Sequence, residues 1–253
     1  MKLSRSKSSA IRKPSPKAAR KLREMYSALD AAYGPQHWWP AQTPFEVILG
    51  AYLTQNTSWK GVALSIGRLA EANLLTVPAI RNISAEDLRI VIRPSGYMVR
   101  KAAALKAFVA FLDRDYNGSL DQLAAENTPI ARDKLLALPG VGPETADAIL
   151  LYALGHPVMV VDEYLRRVTT RHRPLRPAAT YTEVQELALM AFAEDAEPSR
   201  RQHYNEFHAL IVQVGKQYCG PQPRCENCPL ANFQPRPRAA RPLVSKSREV
   251  QVD

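Results

Sequence analysis

The stretch Leu138-Pro-Gly-Val-Gly-Pro-Glu-Thr-Ala-Asp-Ala-Ile-Leu-Leu-Tyr-Ala153 constrains this chain more than any other. Ahead of it, Ile130, Leu135, Leu136 and Leu138 recur at the spacing of one helical face, and Ala146, Ile149, Leu150 and Ala153 give the period of a second helix. Only Pro139-Gly140-Val141-Gly142 lies between them, which leaves room for a tight turn and nothing larger. Gly142 suits the N-cap, Pro143 suits the first helical position, where its missing N–H costs nothing, and Gly155 supplies a stop. The two glycines bare backbone N–H groups at a helix N-terminus, an arrangement that favours an anion. The chain has 34 Lys and Arg against 24 Asp and Glu, a net charge of +10, so the anion expected is a phosphate of nucleic acid.

A Gly-x-Gly turn alone says little; the residues beyond it say more. Asp162 stands eighteen residues after Glu144, at the head of an amphipathic helix marked by Tyr164, Leu165 and Val168. There it can cap the helix and be held ionised by the N-terminal dipole. The helix-hairpin-helix and this aspartate together resemble the helix-hairpin-helix/Gly-Pro-Asp superfamily of DNA glycosylases, the endonuclease III-like enzymes. The resemblance implies double-stranded DNA carrying damaged bases as partner, and Asp162 as the catalytic carboxylate. Gly140, Val141, Gly142 and Thr145 then become the DNA-backbone contacts, with a monovalent cation at the hairpin as a candidate intermediary.

At 253 residues the chain can bury a sizeable core, as one large or two small domains. No apolar run reaches the length of a membrane span, and no secretory segment follows the basic N-terminus. A soluble, cytoplasmic monomer is expected. The three cysteines are clustered, which argues against a secreted disulfide scaffold. Residues 1–20 and 235–253 are rich in Ser, Lys, Arg and Pro and read as disordered basic tails.

Between the tails the apolar periodicity is helical throughout. Leu22, Met25, Tyr26 and Leu29 share one face; Thr43-Pro-Phe-Glu46 opens a helix running to Leu53; Val62, Ile66 and Leu69 belong to the next. Ser84, Thr128 and Thr180 cap further helices, Lys101 to Leu112 forms another, and the last runs from His203 to Tyr218. The fold class is all-α. The superfamily resemblance implies two helical lobes flanking a DNA-binding cleft: a central lobe at about 41–155, and a second lobe from 21–40 plus 156–218, with a cysteine loop at 219–234.

Finer resemblances bear on chemistry. Bifunctional members of the superfamily carry, at the place of Glu144, a lysine that attacks the sugar as an imine-forming nucleophile; glutamate cannot form an imine. Trp38-Trp39-Pro40, Leu49-Gly50-Ala51, Leu53-Thr54-Gln55-Asn56-Thr57, Arg93-Pro94-Ser95-Gly96-Tyr97, Ala146-Asp147-Ala148-Ile149-Leu150 and Val158-Met159-Val160-Val161-Asp162 are similar to segments of the 3-methyladenine DNA glycosylase III branch, in the same order. That branch also carries glutamate at position 144. The likeness implies a base pocket from Trp38, Trp39 and Trp59, and Gln55 as the residue that fills the gap left by the extruded base. An alkylated purine such as 3-methyladenine is cationic, so stacking between indoles selects it by cation–π attraction. Adjacent tryptophans in a Pro-bounded loop are expected to point to different sides, with at least one in the cleft.

Asp162 is expected to stabilise the oxocarbenium-like sugar and to orient or deprotonate the attacking water, with Glu144 as a second carboxylate. The expected activity is a monofunctional DNA N-glycosylase without AP lyase activity. Two other readings stand beside it: an endonuclease III-like glycosylase for mismatched or oxidised bases, and a non-catalytic helix-hairpin-helix DNA-binding protein. A pure binder needs neither the aspartate nor the tryptophans. Finally, Cys219, Cys225 and Cys228 resemble the endonuclease III loop that holds a [4Fe-4S] cluster, but Gln234 stands where the fourth cysteine belongs. The candidates at that loop are an open-iron cluster, a three-iron cluster, zinc with an outside ligand, or no metal.

Overall fold

The computed structural model describes residues 13–172, 174–176 and 178–234, and within them every regular element is helical. The first helix, α1 (Pro16–Tyr33), begins inside the stretch read as a tail. Ser15 accepts a hydrogen bond from the Ala18 N–H, Pro16 opens the first turn, and Ala18 and Ala19 are already buried. The expected boundary at residue 20 is therefore too late: capping and two small apolar residues extend the helix despite the basic composition around them. Residues 1–12 and 235–253, read as disordered tails, lie outside the described residues.

Eight helices follow up to the hairpin: α2 (Pro44–Thr54), α3 (Trp59–Glu71), α4 (Val77–Asn82), α5 (Ala85–Val91), α6 (Met98–Tyr116), α7 (Leu120–Ala124), α8 (Thr128–Leu136) and α9 (Pro143–Ala148). The chain then widens into a π turn at Ile149–Ala153, where the Leu154 N–H reaches back to the Ile149 carbonyl, and Gly155 ends it at a φ of 76°. Three helices complete the fold: α10 (Glu163–Arg171), α11 (Tyr181–Ala191) and α12 (Glu197–Gln217). The last begins six residues before the expected His203, because Pro198 sits in its first turn, where no backbone donor is missed. Two short helices were not anticipated: α4 and α7, capped by Thr76 and Ser119, are too short to show a period.

Packing groups these elements around the hairpin. α2 lies against α3, α6 and the π turn, while α4, α5 and α7 pack on α6. On the other side α1 packs against α11 and α12, and α10 lies between α11 and α12. Leu22, Met25 and Leu29 of α1 are fully buried there, as are Phe192, Tyr204 and Phe207. α12 also reaches the π turn, so one long helix bridges the hairpin and the C-terminal elements. Thr180 and Glu183 form a reciprocal capping box at the start of α11, each side chain taking the other's backbone N–H. At α2 the box is displaced by one residue: Thr43 accepts from the Glu46 N–H, but Glu46 accepts from Gln42 rather than from the cap itself.

Candidate active site

The hairpin turn is shaped by Gly140, whose φ of 77° is a conformation that a side chain disfavours. The Val141 N–H donates to the Leu138 carbonyl at 3.2 Å and the valine side chain is buried. Val141 therefore closes the turn, its N–H already engaged within the hairpin. Among the described residues, the N–H groups of Gly140 and Gly142 have no protein acceptor, and Gly142 caps α9 without a side chain to cover the helix end. Gln55, the C-cap of α2, is docked onto the same turn: its Nε2 donates to the Gly140 carbonyl and to Thr145 Oγ1, each at 3.0 Å. Two hairpin carbonyls, those of Leu138 and Gly140, each accept one hydrogen bond within the protein, which leaves each oxygen a second lone pair.

Beneath Gln55 the loop at 54–58 is held by a buried cation. Lys101 Nζ donates to the Leu53 carbonyl, to Thr57 Oγ1 and to the Ser95 carbonyl, each at 2.7 Å. Burial pushes its pKa down to about 8.

The three tryptophans meet in one pocket of about 540 Å³, within the range of small-ligand sites. Trp38 and Trp59 rings are 5.7 Å apart and tilted by 39°; Trp39 lies edge-on to both, at 5.6 and 5.8 Å. The adjacent pair does not diverge as expected: both rings line the pocket, and the peptide joining them is cis. Trp39 has a seat because Gly50 has no side chain; a Cβ there would stand 3.3 Å from its indole. Trp59, at the first position of α3, is 38% exposed and faces the pocket mouth. The Trp38 Nε1–H is buried without an acceptor among the described residues.

Carboxylates form the facing wall. Asp162 caps α10, its Oδ1 accepting the Leu165 N–H at 2.7 Å, and is 7% exposed. Glu144, in the first turn of α9, opens onto the cleft. Surrounding protein pushes its pKa up and the charge of Asp162 adds to the shift, while His208 opposes it. The segment leading to Asp162 is fixed by the wholly buried Asp147 of α9. Asp147 takes Arg132 at 2.7 and 3.1 Å, the Tyr181 hydroxyl at 2.6 Å and Gln185 Nε2 at 2.8 Å. Tyr181 and Gln185 in turn bind the Val161 N–H and the Met159 carbonyl. Two more residues complete the wall: His208 Nε2 lies 3.6 Å from Asp162 Oδ2, and Lys216, further along α12, reaches the rim.

Sequence reasoning left Tyr152, His208, Lys216, Lys101 and the partners of Asp147 without a role. Asp147 alone had a sequence signal, as an acid on the otherwise apolar second helix of the hairpin.

The cysteine loop lies apart from this pocket. Arg171 Nη1 donates to Cys219 Sγ and to its carbonyl, both at 3.2 Å, and to the Gly220 carbonyl at 2.7 Å, while Nη2 reaches the Pro221 carbonyl at 3.0 Å. Arg167 adds a bond to the Cys219 carbonyl at 2.9 Å. Cys225 is exposed, and Cys228 Sγ accepts the Leu230 N–H at 3.4 Å. Burial pushes the Cys228 thiol up, and the nearness of Cys219 and Cys225 pushes it further. Among the described residues no three His, Cys, Asp or Glu side chains are arranged to hold an ion, and Gln234 brings an amide where a four-thiolate set needs a thiolate. The chain thus supplies three thiolates here, one short of the four-cysteine set.

Comparison with known proteins agrees with the geometry. The sequence profile of the HhH-GPD superfamily base excision DNA repair proteins matches residues 49–193. A Methanocaldococcus jannaschii protein named as a DNA repair glycosylase, MJ1434, is 41% identical over 212 residues, spanning 83% of this chain and 94% of its own. Among solved structures, the H. pylori 3-methyladenine DNA glycosylase MagIII bound to 1,N6-ethenoadenine superposes with a TM-score of 0.69 at 31% identity, covering 78% of this chain and 97% of that one. A trapped endonuclease III–DNA covalent intermediate superposes with a TM-score of 0.71 at 25% identity, covering 85% and 95%. With hairpin, cleft and capping aspartate in place, the chain belongs to the HhH-GPD superfamily of base excision DNA repair proteins and is a DNA glycosylase.

Proposed function

We propose that this glycosylase is monofunctional and excises alkylated purines such as 3-methyladenine from double-stranded DNA. The observation that carries the reading is the pocket itself: three indoles face two carboxylates, and position 144 holds a glutamate where an imine-forming lysine would be needed. The likeness to a 3-methyladenine DNA glycosylase supports it.

In this reading the free N–H groups of Gly140 and Gly142 grip a backbone phosphate at the positive end of α9. Gln55 fills the gap in the duplex, and the extruded base enters between Trp38 and Trp59. An alkylated purine is a cation, and indole faces attract it more strongly once water is excluded. The Trp38 N–H offers a donor to a ring nitrogen. The glycosidic bond then breaks with both electrons leaving on the base, which departs neutral. Asp162 stabilises the positive sugar, and water adds to C1′ as its proton passes to the carboxylate. Glu144, whose pKa is raised, complements the sugar charge when ionised.

The test is release of free base from alkylated duplex DNA, with and without alkali. Free 3-methyladenine, with strand breaks only after alkali, is the expected result. One feature favours a second reading. Lys216 lines the pocket rim, so a strand-cutting enzyme could draw its amine from α12 instead of α9. Breaks without alkali that borohydride traps and Lys216→Ala abolishes would establish that version. No release from alkylated DNA, with release from mismatched or oxidised duplexes, would overturn the substrate assignment.

A further inference from the structure

Tyr152 and His208 join the aromatic wall of the cleft to the carboxylate wall. Tyr152 lies in the π turn after α9, its ring 5.4 Å from Trp39 on one side and 5.8 Å from the His208 imidazole on the other. Its hydroxyl is 2.6 Å from His208 Nδ1. His208, on α12, is buried, and its Nε2 has no hydrogen-bond partner among the described residues. That nitrogen faces Asp162 Oδ2 at 3.6 Å, too long for a hydrogen bond and within a small side-chain movement of one.

The tautomer is set by the neighbours. Burial keeps the tyrosine hydroxyl protonated, with Asp162 and Glu206 reinforcing the effect, so the hydroxyl has a proton to give to Nδ1. A neutral imidazole accepting at Nδ1 carries its proton on Nε2, facing the carboxylate. Asp162 Oδ1 is already fixed by the Leu165 N–H. A donor on Oδ2 would leave the carboxylate no freedom to rotate about its own axis, and catalytic hydrogen bonds that are long in a free enzyme tighten when substrate expels water.

We propose that His208, set in its Nε2–H tautomer by Tyr152, is a positioning residue for Asp162: with DNA bound it donates to Oδ2 and fixes the carboxylate against C1′ of the extruded nucleotide. The proposal rests on Asp162 as the catalytic carboxylate. It also gives the base pocket a mechanical link to that carboxylate, since Trp39 rests on the tyrosine that orients the histidine.

Three variants separate positioning from packing: Tyr152→Phe, His208→Gln and His208→Leu. Tyr152→Phe keeps the ring that Trp39 rests on and loses only the hydroxyl. At saturating damaged DNA, Tyr152→Phe and His208→Leu are expected to slow single-turnover base release about tenfold, the factor one charge-assisted hydrogen bond supplies. DNA affinity is expected to stay unchanged in both. Glutamine retains an N–H donor and should recover most of the rate. Wild-type rates in folded Tyr152→Phe and His208→Leu, or equal losses in the Gln and Leu variants, would overturn the proposal. A second measurement needs no substrate: nitrogen-15 NMR of the imidazoles in the full chain should show His208 protonated on Nε2, and an Nδ1–H tautomer would overturn it. If the wild type releases no base from alkylated DNA while the tautomer is as expected, the substrate reading fails and the positioning proposal stands.

Discussion

In the cleft, side chains from the Trp38–Trp39 loop, α2, α3, α9, α10 and α12 converge on one pocket, and each key group is held by another. In the cysteine loop, at the far end of the same α12, three thiols stand without a fourth, and arginines hold the backbone instead. The cleft is over-determined: Asp162 is fixed by a cap and by the Asp147 network behind it, with His208 beside it. The loop depends on guanidinium bonds to consecutive carbonyls. The cleft keeps its geometry through redundant contacts, whereas the loop has a single fastening.

Substitutions can break or sharpen that contrast. Asp162→Asn should lower single-turnover base release by about 10²–10³-fold, the scale for removing one electrostatic stabiliser of a transition state, while DNA binding persists. Rates near wild type would remove Asp162 from the chemistry. Trp59→Ala opens one face of the pocket and should cost about tenfold in release of a cationic base, from lost stacking and cation–π attraction. If neutral bases suffer equally in a competition assay, the indole acts by shape alone. On the loop side, Arg171→Ala removes bonds to three successive carbonyls and should lower stability by about 2 kcal/mol in urea titration. Its excision rate should match wild type at a temperature where it is folded.

Glu144→Gln bears on the cleft through pH. Because desolvation by the surrounding cleft walls and the charge of Asp162 raise the Glu144 pKa, the folded chain binds more protons than the unfolded one across that titration. The stabilising share is complete below the ordinary carboxylate range and is lost as pH rises through the raised value. The wild-type melting temperature should therefore fall relative to Glu144→Gln over this interval, and parallel curves would show that Glu144 feels no repulsion. The smallest effect is expected at the thiols. Cys225→Ser, exposed and without a partner role, should change stability by less than about 0.5 kcal/mol, and purified protein should hold no stoichiometric iron or zinc. A full iron complement would show that a ligand outside the three cysteines completes the set.

The features legible in the sequence are those encoded by neighbours in the chain. The hairpin, its Gly142 and Pro143, the Asp162 cap and the Thr180–Glu183 box each depend on residues within one turn of one another. The family resemblance brought Trp38, Trp39, Trp59 and Gln55 to the cleft. The features that stayed hidden depend on separation. Tyr152 and His208 meet across 56 positions through a π turn that no periodicity announces. Lys101 reads as a surface lysine until α6 turns it toward Leu53 and Ser95. The hydrogen bond from the Val141 N–H to the Leu138 carbonyl is a detail of turn geometry that the motif does not announce.

Gly50 has a consequence of another kind. It touches no base and carries no chemistry, yet its bare backbone is the floor on which the Trp39 indole lies, with a Cβ position only 3.3 Å from the ring. A single methyl there would lift the ring by a few tenths of an ångström toward the lumen, against Trp38, Trp59 and Tyr152 at once. The calibre of the pocket is set from behind, by a residue invisible to anything inside it. Variation at such a position retunes which bases fit while every group that contacts them stays the same.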